Sequence, residues 1–563
     1  MLNETNISSK KQILIVYIFL TLVTLAVFWQ LSQYEFINFD DPIYVTQNRH
    51  IQSGITLDGI RWAFSTTYAE FWHPLVWLSF MLDYQLYGLN AGGYHTTNFI
   101  LHILSTLLLF WLFNRMTGTI WKSAFVAVLF ALHPVHVESV ARISERKDVL
   151  SAFFWMLTLC LYVYYTEKPV IKRYLLVVFS FVLALLSKPM VITLPLIMIL
   201  IDYWPLKRFE SQKSNWVLWQ LKEKIPFFVL SAVFSVITIY ARYEQSFEYG
   251  SLSLSFRIQS ALIFFVTYLR KMFWPNDLAL CYPFLDQLPV WQVLGAALLI
   301  IVISVAVIAT VRRSPYLFVG WSLYTIMILP VLGIGQVGIH WMHDHYTYLP
   351  SIGISIMLVW GIPLLFPRED IRKMILFPAS ISILAVLAVL TWQQCGYWKN
   401  SITLFRHDLQ VTKDNYLSHS NLGLALAENG KIKEAIDHYD EAIRLKPYYP
   451  YPYSNRGAAY AKLGQYQRAI KDFDEATRLN PDYAEPYLNR GAAYGDLGQY
   501  QLAIENFTKA ISLKPDYVNA YFNRGITYFR HGNKESGCYD AQRVCELGDC
   551  QLLESAKANG YCP

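Results

Sequence analysis

Two adjacent carboxylates, Asp40 and Asp41, follow the first long apolar run of the chain, within Phe36-Ile37-Asn38-Phe39-Asp40-Asp41-Pro42. Acids at the mouth of a membrane span are what an enzyme fed from the lipid would need, because a carboxylate can take the proton of an incoming hydroxyl. Taken alone, Asp-Asp-Pro reads equally well as a turn that ends a helix. Neighbours on one turn point to opposite sides, so the two acids are not expected to share one task. Asp41 is the preferred base and Asp40 its partner, with the order left open.

A second charged island, Arg142-Ile143-Ser144-Glu145-Arg146-Lys147-Asp148, interrupts an apolar stretch. Arg142, Arg146 and Lys147, together with Lys188, suit a phosphate. Glu145 and Asp148 either neutralise these bases or, as carboxylates, suit a proton or a metal. His73, His343, Asp344, His345 and Tyr346 are further candidates on the same face. Ionisable residues gathered at one membrane face are costly to desolvate and point to a site. The plainer alternatives are that His73-Pro74 only starts an interfacial helix and that His133 and His136 pack against neighbouring helices. The chain has no glycine-rich phosphate loop, zinc-binding His-Glu-x-x-His or nucleophile elbow.

Positioning these groups falls to helices made for two solvents. Up to about Cys395 the chain is a series of apolar runs, and from there to Pro563 it reads as soluble helix. The second part holds 20 basic and 20 acidic residues, so the net charge of +6 belongs to the membrane part. There is no basic tract of the kind nucleic acid requires, which sets that class of partner aside. Ile13–Leu31 is long enough to cross the bilayer and lacks a small-residue cleavage site, so it reads as an uncleaved anchor. Later runs bring the expected total to about eleven spans. Ile258–Trp274 is the doubtful extra one. If it does not cross, the clusters at Arg115/Lys122, Lys168/Lys172/Arg173, Lys207/Arg208, Arg312/Arg313 and Arg368/Arg372/Lys373 share the cytoplasmic side. The loop 32–94 and the tail then lie opposite.

The tail repeats with a step of 34: Asn421, Asn455, Asn489, Asn523; Gly423, Gly457, Gly491, Gly525; Pro447, Pro481, Pro515. This pattern resembles the tetratricopeptide repeat, in which paired helices stack into a solenoid with a concave face. Four units run over about Tyr416–Gln551, after a linker at 396–415. By that analogy the four Asn residues form a peptide-binding groove, although copying of one ancestral unit would preserve them as well. The last unit decays, and Cys538, Cys545, Cys550 and Cys562 crowd its end. On the non-cytoplasmic side they suggest two disulfides of open connectivity.

Asn38-Phe39-Asp40-Asp41-Pro42-Ile43-Tyr44-Val45, Ala131-Leu132-His133-Pro134-Val135-His136-Val137-Glu138-Ser139-Val140 and Tyr346-Thr347-Tyr348-Leu349-Pro350-Ser351-Ile352-Gly353 resemble the transmembrane and tetratricopeptide repeat-containing proteins. His345 departs from that pattern, where Arg is expected before the Tyr. The resemblance implies an all-α, type C glycosyltransferase-like membrane domain over 1–395 and the repeat domain over 416–563. It further implies protein O-mannosylation from a polyprenyl phosphate sugar with inversion, in a bacterial inner membrane or the endoplasmic reticulum, with Glu145, Asp148, His73, His343, Asp344, His345 and Tyr346 as sugar or supporting contacts. A divalent metal is compatible with that fold, but no ligand set is assigned. Two other classes compete: a non-catalytic membrane-anchored repeat scaffold, and a transporter, whose site would sit near the midplane.

Overall fold

The computed structural model of the chain describes residues 2–209, 216–243, 253–283, 288–334, 342–366 and 368–563. Every regular element among the described residues is helical. The chain divides into two units, Met1–His407 and Asp408–Pro563.

In the first unit the expected runs become helices of unequal length. Among the described residues six are long and apolar enough to cross a membrane, and a bent pair makes up to a seventh. Pro189–Tyr203, Pro315–Val331 and Ser351–Leu365 are shorter apolar segments. The expected total of about eleven therefore mixes full spans with short or broken ones. Apolar runs show where a helix avoids water, whereas crossing also depends on unbroken length. The chain is a multi-pass membrane protein by this composition.

Its two ends are chemically distinct. At one end Arg115 pairs with Glu167 at 2.5 Å, Arg173 donates to the Tyr164 carbonyl at 2.6 Å, and Tyr203 OH donates to the Val311 carbonyl at 3.4 Å. Lys122 there lies over the Trp360 ring. The Arg115 cluster thus adjoins the one at Lys168–Arg173, and the chain before Lys207 adjoins the one before Arg312. Trp216–Tyr243 starts there, with Lys224 on Asp202 at 2.8 Å, and its Phe234 reaches Trp72 of the first loop. Leu254–Phe273, the doubtful segment, is a helix whose last turn lies at the other end, where Lys271 meets Asp344 at 2.8 Å.

The bent pair shapes that other end. Ile120–Leu132 and Pro134–Ala141 join at His133 with a bend of 54°. Pro134 removes a backbone donor and restricts the residue before it, which ends the first helix. His133 and His136 stabilise the break, bonding the Met272 carbonyl at 2.9 Å and Ser351 Oγ at 3.0 Å, so their packing role holds. The chain from Ala131 to Leu150 is buried throughout, carrying its charged island inward. Gly320 and Gly353 let two helices touch: a Cβ at either would come within 2.4 Å of the other's carbonyl oxygen.

Ser401–Val411 is helical, with Leu404 and Phe405 buried, so most of the expected linker is ordered structure. The second unit is a run of helix pairs, from Tyr416–Glu428 with Ile432–Leu445 to Val518–Arg530 with Lys534–Glu546. The periodic glycines have a packing cause, since a Cβ at Gly423, Gly457 or Gly491 would strike Tyr439, Phe473 or Phe507 at 2.6–2.7 Å. In the decayed unit Ala541 replaces that aromatic ring, and Leu552 of the closing helix Gln551–Ala558 comes near Gly525 instead. Cys538 pairs with Cys562 and Cys545 with Cys550, using all four expected cysteines.

Candidate active site

Segments far apart in sequence meet at the end that holds the bend. Asp40 bonds Arg142 Nη2 and lies 3.4 Å from Ser144 Oγ. The Arg142 guanidinium also holds Glu138 at 3.0 Å and sits over the Phe39 ring. Lys147 lies 3.0 Å from Glu145 and 3.5 Å from Tyr44 OH, between the Tyr44 and Phe71 rings. Lys188 pairs with Asp148, stands 3.8 Å from Glu145, and lies over the Tyr346 ring. His345 Nδ1 is 2.8 Å from Glu138 Oε1, and His343 Nδ1 is 3.6 Å from the same oxygen.

Asp40 and Asp41 have unlike surroundings. The Asp40 side chain keeps 26% of its surface, whereas Asp41 is buried and accepts the Ile37 N–H at 2.8 Å. Burial, opposed by that N–H and helped by the nearby Asp40 charge, pushes the Asp41 carboxyl up to about 7. Asp41 thus ties its own turn, whereas Asp40 faces the cluster.

Arg146 requires a correction. Its side chain is fully buried, with Nη2 on Asp83 at 2.6 Å and on the Tyr94 carbonyl at 3.0 Å, and Nε on Asn98. Helical spacing turns it away from Arg142 and Lys147, and its donors are spent within the protein, so it is no phosphate ligand. Asp344 likewise turns away, to Lys271 and to Tyr282 OH at 2.6 Å, in a supporting role. His73 is buried against Tyr44 and Trp77, and burial holds it well below the ordinary imidazole range. It caps no helix end through its side chain, and its Nε2 has no hydrogen-bond partner.

Glu138, Tyr44, Lys271 and Tyr282 are members or supports of the cluster that the sequence alone does not assign to it. Glu138 had a usable signal, an ionisable residue within an apolar run. Nor did the sequence suggest that Glu138, His343 and His345 offer ligand atoms within 4.8 Å of one another, as do Glu145, Asp148 and His345. In the second unit, Asn421, Asn455, Asn489 and Asn523 lie half-buried on the first helix of each pair. The Asn421 amide donates to the Leu417 carbonyl at 2.9 Å.

With this geometry in hand, the likeness to known proteins can be stated. A protein O-mannosyl-transferase of Caenorhabditis elegans is 26% identical over 400 residues, covering 67% of this chain and 54% of the relative. The Homo sapiens protein O-mannosyl-transferase TMTC1 is 26% identical over 482 residues, covering 74% of this chain and 53% of the relative. The chain is similar to protein O-mannosyl-transferases over most of its length. It spans between half and two thirds of the length of these relatives. A family model described as TPR repeat matches residues 423–464, 459–498 and 493–532, so the tail carries tetratricopeptide repeats. The crystal structure of MamA is similar to 28% of this chain, covering 90% of that one at 26% identity with a TM-score of 0.25.

Proposed function

We propose that the protein is a membrane glycosyltransferase that moves a hexose from a polyprenyl phosphate to a hydroxyl of a polypeptide on the non-cytoplasmic face. The names of its relatives favour mannose. The observation that carries this reading is the convergence of Asp40 with Arg142, Lys147 and Lys188. In this reaction the acceptor oxygen attacks the anomeric carbon and Asp40 takes the hydroxyl proton. The bond from that carbon to the phosphate oxygen breaks with inversion, and polyprenyl phosphate leaves as an anion. Such a leaving group requires positive charge rather than a strong acid. Lys147 and Lys188 both approach Glu145, and Lys188 also pairs with Asp148, so an arriving phosphate competes with two carboxylates for two ammonium groups. Arg142 orients Asp40, and Asp41 is a positioning residue.

The first unit supports this sidedness. Its basic end suits the cytoplasm. At the site end Asn38 N–H donates to Ser401 Oγ at 2.9 Å, so the chain leaves this unit beside the acids. The repeats then receive the acceptor, with the Asn455, Asn489 and Asn523 amides bonding its extended backbone.

Transfer from a polyprenyl phosphate sugar to a polypeptide tests this. Asp40→Asn lowers the rate by about 100-fold or more while membrane insertion stays intact, and Asp41→Asn costs less. Parent-level transfer by Asp40→Asn ends the assignment. Replacing the four groove asparagines by Ala weakens use of a polypeptide acceptor more than donor hydrolysis; equal losses point to damage in the membrane unit.

A further inference from the structure

The segment 343–345 places two imidazoles on one side of the chain. Asp344 is drawn the opposite way by Lys271 and Tyr282, which leaves the His343 and His345 rings stacked with centroids 5.0 Å apart. Both Nδ1 atoms face Glu138 Oε1, at 3.6 Å and 2.8 Å. An ion held at roughly 2.1 Å by three ligands sets them roughly 3.4 Å apart in tetrahedral geometry, between the two separations found.

Second contacts fit the same arrangement. Glu138 Oε2 accepts the His345 backbone N–H at 3.0 Å, which orients the carboxylate, while Arg142 Nη1 donates to Oε1 at 3.0 Å, so an ion there would share that oxygen with the guanidinium. His345 Nε2 points toward Glu145 Oε2 at 3.8 Å, a buried oxygen with no hydrogen-bond partner. With metal on Nδ1, the Nε2–H would be directed at that oxygen, the carboxylate–histidine–metal relay that fixes a ligand's tautomer. His343 would give up a 3.2 Å contact to the Leu280 carbonyl. Its side chain keeps 17% of its surface while Glu138 keeps 3% and His345 4%, so the fourth position opens on the His343 side. The neighbouring group of Glu145, Asp148 and His345 already has a cation, the Lys188 ammonium.

We propose that Glu138, His343 and His345 bind a divalent transition-metal ion, of the zinc or manganese class. Two imidazoles and one carboxylate suit such ions better than calcium or magnesium, which prefer oxygen alone. The open position would let the ion take a donor phosphate oxygen; that role rests on the glycosyltransferase reading, whereas the binding site does not.

The full-length protein, stripped with a chelator and reloaded with zinc or manganese, is expected to retain one ion per chain with the open side toward solvent. His343→Ala and His345→Ala weaken binding at least tenfold. His343→Cys keeps zinc and, loaded with cobalt, shows a sulfur-to-metal charge-transfer band, which requires a folded site. His419→Ala changes nothing, although His419 and His438 form a second imidazole pair at 3.0 Å in the repeat unit. A parent protein without bound ion, a cobalt-loaded cysteine variant without the band, or metal lost only in His419→Ala overturns the site. None of these outcomes bears on transfer by Asp40.

Discussion

The repeat unit and the membrane unit solve the same problem of burying polar side chains by opposite means. In the repeats one residue type meets one kind of neighbour at each step. Arg456 bonds Asp440 and Asp472, each 16 residues away, and Arg490 reaches Asp474 and Asn506 at the same offset. In the membrane unit Arg142 meets Asp40 across 102 residues and His345 meets Glu138 across 207. Local contacts repeat and share load between neighbours. Distant ones occur once and have no substitute, so damage should be graded in the tail and severe in the membrane unit.

The sharpest test of that contrast is Arg146, whose guanidinium and the Asp83 carboxylate are both nearly inaccessible. Arg146→Met leaves a buried aspartate without its cation and should cost about 3–5 kcal/mol, seen as a lower unfolding temperature in detergent. Arg146→Met with Asp83→Leu should recover much of that loss. If the single and double variants unfold alike, the pair is not the lock described here.

A second test concerns Asp41, whose folded pKa of about 7 lies above the ordinary carboxylate value. A folded acid with a raised pKa keeps a proton that the unfolded chain has lost, so stability falls as pH rises from about 4 to about 7. The fall can reach about 4 kcal/mol. Asp41→Asn removes the titration, and its unfolding temperature should then vary less with pH over that window. An unchanged slope would mean that other groups carry it.

These two residues also show what could be read from sequence. Arg146 stood beside Arg142 and Lys147, and linear adjacency suggested one shared task. Only the helical turn from Arg146 onward reveals that its side chain faces Asp83. Adjacency alone suggests that Asp40 and Asp41 face opposite ways, but which one turns inward depends on the Ile37 N–H, a backbone group that leaves no mark in composition. The repeat glycines, by contrast, were legible because period and packing have the same cause: a missing Cβ opposite an aromatic ring. His345 meets Glu138 across 207 residues, so no local spacing in the sequence marks the pair.

Within the tail the comparison predicts smaller, graded effects. Arg456→Ala removes charge-assisted bonds to the buried Asp472 and the exposed Asp440 and should cost about 1–3 kcal/mol. Arg490→Ala should cost less, because Asn506 stands where Asp472 stands one repeat earlier. Hydrogen exchange of the repeat helices in the full-length protein measures both. Equal losses would remove the charge argument and leave only shape.

The smallest expected difference lies at the end of the solenoid. Cys538–Cys562 closes a loop of 24 residues and Cys545–Cys550 one of 5. If a cross-link acts by limiting the unfolded chain, the longer loop is worth about 1 kcal/mol more. The longer bridge also ties Lys534–Glu546 to the chain after Gln551–Ala558, whose Leu552 packs near Gly525. Cys538→Ser with Cys562→Ser should therefore loosen the closing helix and then the last pair, while Cys545→Ser with Cys550→Ser leaves both protected. The order of exchange rates decides it: faster exchange in Gln551–Ala558 on loss of the short bridge alone would show that the local turn, not the long tie, holds the cap.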